Sequence, residues 1–191
     1  MKKIIFATGN PNKIKEVKEL LNNKFEIIGL QDIGCQEDIP ETQPTIEGNA
    51  LQKARYVVDN YDVNCFAEDT GLEIESLNMA PGVYSARYAG EQRSSEDNMN
   101  LVLEKLKNQD NRKARFKTVV ALIIDGEEFT FEGIVNGKIA FEKTGKDGFG
   151  YDPIFLPEDQ KISFAEMGSA EKNEISHRGR AVRKLIAWLE D

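Results

Sequence analysis

Two adjacent acids, Glu68 and Asp69, follow an apolar triplet, Cys65, Phe66 and Ala67. The triplet reads as the end of a buried strand, and the Thr70-Gly71 pair after the acids reads as a turn. An acidic pair at a buried strand end is unfavourable unless positive charge meets it. A divalent metal or a clamp of basic side chains supplies that charge, and a carboxylate held in this way binds Mg²⁺, activates water, or does both. The candidate cations stand in unusual places. Lys13 falls in the first turn of one predicted helix, and His177 and Arg178 open another, positions where the helix dipole disfavours positive charge. A phosphate ligand explains Lys13 there better than helix stability does. Lys53 lies four residues from Asn49 and shares its helix face, beside alanines that allow close backbone approach. Taken alone, it reads as a solvated lysine.

The elements that must position these groups follow from periodicity. Residues 3–7 (KIIFA) suit a buried strand that breaks at Thr8-Gly9-Asn10, before a helix with Ile14, Val17, Leu20 and Leu21 on one face. Asn10 suits the N-cap and Pro11 the first helical position, so free backbone N–H groups are expected at the strand end, where they attract anions. Residues 24–30 read as a second strand and residues 31–44 as a polar loop. A helix is predicted over 45–61, packed through Ile46, Ala50, Ala54, Val57, Val58 and Tyr61. Residues 79–90 form a long Gly/Pro-punctuated loop of the kind that carries function. A helix spans 94–107, and strands at 115–124 and 127–135 meet across the hairpin signal Asp125-Gly126. Residues 145–152 (GKDGFGYD) pack three glycines around Phe149 and Tyr151, which suits a loop lying against a flat ligand. This stretch lacks the Walker A pattern. A last helix runs over 177–190 with Ser176 as its cap, burying Ala181, Leu185, Ile186 and Leu189.

Composition narrows the classes. With 191 residues, 40% apolar and 30% charged, the chain suits one domain over 1–191. No stretch approaches the roughly 20 apolar residues of a membrane span, and the first apolar run is too short for a signal peptide, so the expectation is a cytoplasmic protein with no membrane partner. Cys35 and Cys65 fit no metal or redox spacing. A net charge of -8 argues against nucleic-acid binding, which needs a basic face. A small phosphorylated ligand remains compatible, held by a few convergent cations.

Several pieces then stand in a telling order: TGNPNK (8–13), the ETxxTxxxNAxxKA pattern (41–54), AEDTGLE (67–73), APGVYSARYAGE (80–91), GFGYDPIF (148–155) and EKNxISHRGRA (171–181). Together they resemble the non-standard purine nucleoside triphosphate pyrophosphatases, the inosine and xanthosine triphosphatases, across nearly the whole chain. Departures are mild: Glu68 stands where Asp is common, Thr70 where Ser is, and Gln43 and Ile46 where Gly and Phe are usual. The resemblance implies an elongated, two-lobed α/β fold around a long, mixed, twisted β-sheet with flanking helices, a nucleotide cleft between the lobes, and a homodimer. It also implies Mg²⁺-dependent hydrolysis of ITP, dITP and XTP to the monophosphate and pyrophosphate, clearing damaged purines from the nucleotide pool. Carried onto this sequence, it puts substrate binding at Thr8, Gly9, Asn10, Pro11, Asn12, Lys13, Lys53, Thr70, Phe149, Gly150, Tyr151, Asp152, Lys172, His177 and Arg178. Metal ligands are to come from Glu41, Glu68 and Asp69, with the division among them open.

Water attack on the α-phosphorus depends mainly on positioning and charge neutralisation. Lys13, Lys53 and the first loop are expected to hold the phosphates, and Asp69 to act as base. The purine is expected against Phe149, with Lys172, His177 and Arg178 reading its 6-keto group, since the adenine amino group would leave buried donors unpaired. GTP shares that keto group, so its exclusion must act at the 2-amino position, for which His177 and Arg178 are the candidates. Two other readings, a metal-dependent phosphomonoesterase and a non-enzymatic nucleotide-sensing module, separate from this one by product analysis.

Overall fold

The computed structural model describes residues 2–22 and 24–190. Its strands are β1 (Lys2–Phe6), β2 (Phe25–Ile28), β3 (Cys65–Ile74), β4 (Lys113–Ile124), β5 (Glu127–Ile139) and β6 (Phe155–Pro157), in one sheet of order β2-β1-β3-β4-β5-β6. β1 is parallel to β2 and β3, whereas β5 is antiparallel to β6, so the sheet is mixed. The α-helices are α1 (Pro11–Leu21), α2 (Ile46–Tyr61), α3 (Ser95–Lys105), α4 (Ser169–Ile175) and α5 (His177–Glu190). The chain forms two compact units, one from residues up to 69, 118–133 and 177 onward, the other from 70–117 and 134–176.

In the first unit, the last residue of β1, Phe6, and the first three of β3, Cys65, Phe66 and Ala67, are apolar and fully buried under helices and neighbouring strands. Phe6 and Phe66 pair across the ladder with ring centroids 4.4 Å apart, and the Ala7 N–H donates to Phe66 O at 2.8 Å. Val17 and Leu21 of α1 and Val182 and Leu185 of α5 complete this core, each fully buried aliphatic stabilising by about 1.5–3 kcal/mol. The second unit is built on Leu72, Val102, Phe116, Phe155 and Phe164. Helix starts follow local chemistry: Asn10, Thr45 and Ser94 cap α1, α2 and α3 through their side-chain oxygens. The hairpin turn also forms as expected, with Asp125 and Gly126 both at positive φ, as a tight turn matched to strand twist requires.

Some local expectations are overturned. Thr70-Gly71 is no turn, because β3 runs straight through it from Cys65 to Ile74. Nearly the whole strand is buried, and pairing in a sheet overrides the turn preference of a single glycine. On α2, Val58 and Tyr61 are only half-buried, while Asn49 and Lys53 are buried in their stead. Leu189 of α5 is likewise half-buried and Val182 is inside. The long loop at 79–90 contains a 3-10 helix, Gly82–Arg87.

Candidate active site

β1 ends beside the first residues of β3, which runs on past it, so Glu68 and Asp69 stand just beyond the carboxyl end of β1, where open α/β sheets hold their ligands. From the end of β1 the chain enters the Thr8-Gly9-Asn10 loop. Asn10 Oδ1 accepts from the Asn12 and Lys13 N–H groups at 3.0 and 3.3 Å, the Ile14 N–H donates to Asn10 O at 3.1 Å, and Pro11 has no N–H. The first N–H groups of the helix itself are therefore already capped by Asn10. Gly9 is different. A Cβ built on it would meet nothing within 4 Å, so this fold does not itself demand a glycine there.

Charged side chains converge beside this loop from five segments: α1, the stretch before α2, α2, β3 and α5. Glu68, fully buried, receives Arg178 Nε and Nη2 at 2.8 and 2.9 Å and Lys13 Nζ at 3.0 Å, and Arg178 Nη1 also pairs with Glu16. Lys53, buried on α2, pairs with Glu41 and lies 3.5 Å from Asp69 Oδ1. The solvated reading of Lys53 is thus overturned, since two carboxylates supplied by distant segments compensate its burial. Burial alone would raise the Glu68 pKa, but Arg178 and then Lys13 outweigh it and hold the carboxyl well below the ordinary range. Burial would lower Lys53, yet Asp69 and Glu41 outweigh it and keep the ammonium charged. Asp69 goes the other way: burial pushes its carboxyl up, and Lys53 and Lys13 only partly oppose this.

Three cations thus face four carboxylates, and Asp69 is the least compensated of the four. Its Oδ2 is buried without a hydrogen-bond partner. An orphaned hard oxygen next to Glu41 suits Mg²⁺, for which Glu41 and Asp69 are the donors at hand. Among the described residues no three His, Cys, Asp or Glu side chains converge as a closed cage. Mg²⁺ takes one or two carboxylates and completes its shell with water and substrate phosphates.

The second unit holds its own constellation. Asp152 Oδ2 accepts from the Phe149 N–H at 2.8 Å and from Lys172 Nζ at 2.6 Å, with both charged groups buried. Lys172 Nζ also lies 5.0 Å from the Phe149 ring centroid, within cation–π range. Gly148 is at positive φ, and a Cβ there would collide with Asp152, which explains that glycine. Gly150 is at positive φ with open space around it. Tyr151 is buried, and its hydroxyl donates to Ser85 O at 2.7 Å. Thr70 is half-buried within β3.

Of the expected site residues, the first unit brings together Lys13, Glu41, Lys53, Glu68, Asp69 and Arg178. His177 is buried at the start of α5. Arg178, expected at the purine edge, has its guanidinium engaged by Glu68 and Glu16, while Lys172 belongs to the second unit. Glu16 went unnoticed in the sequence, although its place three residues after Lys13 puts it on the same helix face. Asn98 also went unnoticed. It accepts from the Ala89 N–H at 2.7 Å and donates to Ala86 O at 3.0 Å, fixing the loop before α3, and no local signal marks it.

Fold and site together define an α/β protein with a buried, charged centre beyond the carboxyl end of its first strand. The chain belongs to the Ham1 family, whose profile matches residues 4–188. A protein of Flavobacterium johnsoniae named dITP/XTP pyrophosphatase is 54% identical over 187 residues, 98% of this chain and 97% of that protein. One of the same name from Bacillus subtilis is 47% identical, covering 100% of this chain and 98% of its own. The solved structure of the Staphylococcus aureus Ham1 protein superposes with a TM-score of 0.90 at 39% identity, over 99% of this chain and 98% of that one.

Proposed function

We infer that this chain is a nucleoside triphosphate pyrophosphatase that hydrolyses non-standard purine triphosphates, ITP, dITP and XTP, to the monophosphate and pyrophosphate. The observation that carries the mechanism is Asp69, a buried carboxylate with an orphaned oxygen beside Lys53. The names of the family relatives support the substrate class.

Lys13 and Lys53 bind the phosphate oxygens, and the open space at Gly9 admits them close to the backbone. As substrate enters, Lys53 exchanges Glu41 and Asp69 for phosphate oxygens. Glu68 keeps Arg178 and is assigned to holding Lys13 in place; Glu41 and Asp69 are assigned to the metal. Bound Mg²⁺ supplies charge neutralisation on the phosphate oxygens. Asp69 orients the attacking water and takes its proton. The α-phosphorus to oxygen bond breaks and pyrophosphate leaves. Phe149 and Lys172 serve as the platform for the purine, with Asp152 fixing the lysine.

A homodimer and a cytoplasmic location complete the reading. They rest on the resemblance and on the whereabouts of the nucleotide pool. No helix among the described residues is long and apolar enough to cross a membrane. The test is product analysis on ITP, XTP, GTP and ATP with Asp69→Asn alongside. Equal monophosphate and pyrophosphate from ITP and XTP, lost in the folded variant, is the expected result. Orthophosphate would mark a phosphomonoesterase, and binding without turnover a sensing module.

A further inference from the structure

The polar stretch before α2 contributes little to either core, yet it carries Glu41. It is laced along one side of α2. Tyr56 and Tyr61 both donate their hydroxyls to Glu37 Oε1, at 3.1 and 2.7 Å, and Glu37 Oε2 accepts from the Gln36 N–H at 3.0 Å. Beyond Glu41, Gln52 takes the Thr42 N–H at 2.8 Å and donates to Thr42 Oγ1 at 2.9 Å, and Asn49 Oδ1 accepts from the Gln43 N–H at 2.9 Å. Positions 49, 52 and 56 recur at helical spacing, so the side chains form a ladder along one side of the helix.

Glu41 therefore hangs between two fastenings, one immediately after it and one four residues before. The second fastening uses an exposed carboxylate that no core packing requires. We propose that Glu37, clasped by Tyr56 and Tyr61, is a positioning residue that sets Glu41 for metal binding, an inference that rests on Glu41 being a metal ligand. Glu37 touches neither substrate nor metal. It acts by narrowing the conformations of residues 37–42, so that the ordering entropy of the loop is met in the folded protein and not at the moment of binding.

The experiment uses the full chain and Mn²⁺ as probe, its bound fraction measured by electron paramagnetic resonance. Hydrogen exchange of residues 36–43 is followed in parallel. Glu37→Ala is expected to weaken Mn²⁺ binding about three- to tenfold, the loss of one to two hydrogen bonds to a charged group. Exchange at Thr42 and Gln43 should quicken, while kcat at saturating Mg²⁺ stays parental. Tyr61→Phe should give part of the same effect, and Glu37→Gln, which keeps an acceptor oxygen, should recover most of the affinity. Glu41→Gln is the benchmark. If it loses Mn²⁺ while Glu37→Ala keeps parental affinity and loop exchange, the positioning role is wrong. If Glu41→Gln itself keeps parental affinity, the ligand assignment fails and this proposal with it, a case recognised because Glu37→Ala still loosens the loop.

Discussion

Replacing Arg178 with methionine tests whether the centre is held by its own charge network. The guanidinium is 1% exposed and Glu68 0%, and three of its nitrogens bond Glu68 and Glu16. Methionine fills part of the volume but leaves two carboxylates short of a partner. Breaking a buried pair from one side costs about 3–5 kcal/mol, which for a chain of this length lowers Tm by roughly 6–20 °C. The pH dependence separates electrostatics from packing. In the parent, Glu68 has its folded pKa below its unfolded one, so its stabilisation is present above the ordinary carboxylate range and is lost as pH falls through and below that range. In the variant, burial dominates and the Glu68 pKa moves up, so its ionisation subtracts stability as pH rises. The gap between parent and variant should therefore narrow from pH 7.5 to pH 5 in urea unfolding. A gap that does not change with pH, or a loss under about 1 kcal/mol, would refute the argument.

Other consequences are open to direct measurement. Lys13→Ala and Lys53→Ala should weaken ITP binding in calorimetry much more than inosine binding; equal losses would remove both lysines from the phosphates. Gly9→Ala meets no protein atom within 4 Å, so its Tm should stay within the error of the melt while KM for ITP rises several-fold. Gly133→Ala should do the reverse, because its Cβ would lie 2.6 Å from Ala181 N and closer still to the His177 carbonyl, overpacking that costs about 1–3 kcal/mol. Asp69→Asn removes a carboxylate that burial disfavours, so its stability at pH 7 should equal or exceed the parent's, and Mg²⁺ should no longer raise its Tm.

Much of the first unit was legible because its signals are local. Asn10 and Pro11 announce the start of α1, and Asp125-Gly126 announces the hairpin, through backbone preferences that no tertiary contact reverses. The acids were also legible as an anomaly at a buried strand end. What escaped depends on partners remote in sequence. Nothing within a few residues of Lys53 says that Glu41 and Asp69 will meet it, so it read as solvated. Thr70 and Gly71 looked like a turn because a glycine's neighbours in a sheet cannot be seen from the strand itself. The seven residues of α4 and three of β6 are too short to show a period. Arg178 was found for the right oddity, a cation at a helix start, but the carboxylates that answer it lie 110 and 162 residues away.

Those separations have a consequence for how the protein comes to life on the ribosome. Lys13, Glu16 and Glu68 emerge early, and until the last helix follows them the two acids must remain hydrated or keep their protons. A chain released before residue 178 would carry nearly every proposed catalytic group and still lack the guanidinium that fixes Glu68, which in turn holds Lys13. Contacts this distant in sequence also form late, since the intervening loop must close before they contribute. Assembly of the centre is thus tied to completion of the chain, and a truncated product should be without hydrolytic activity whatever length of sheet it has managed to fold.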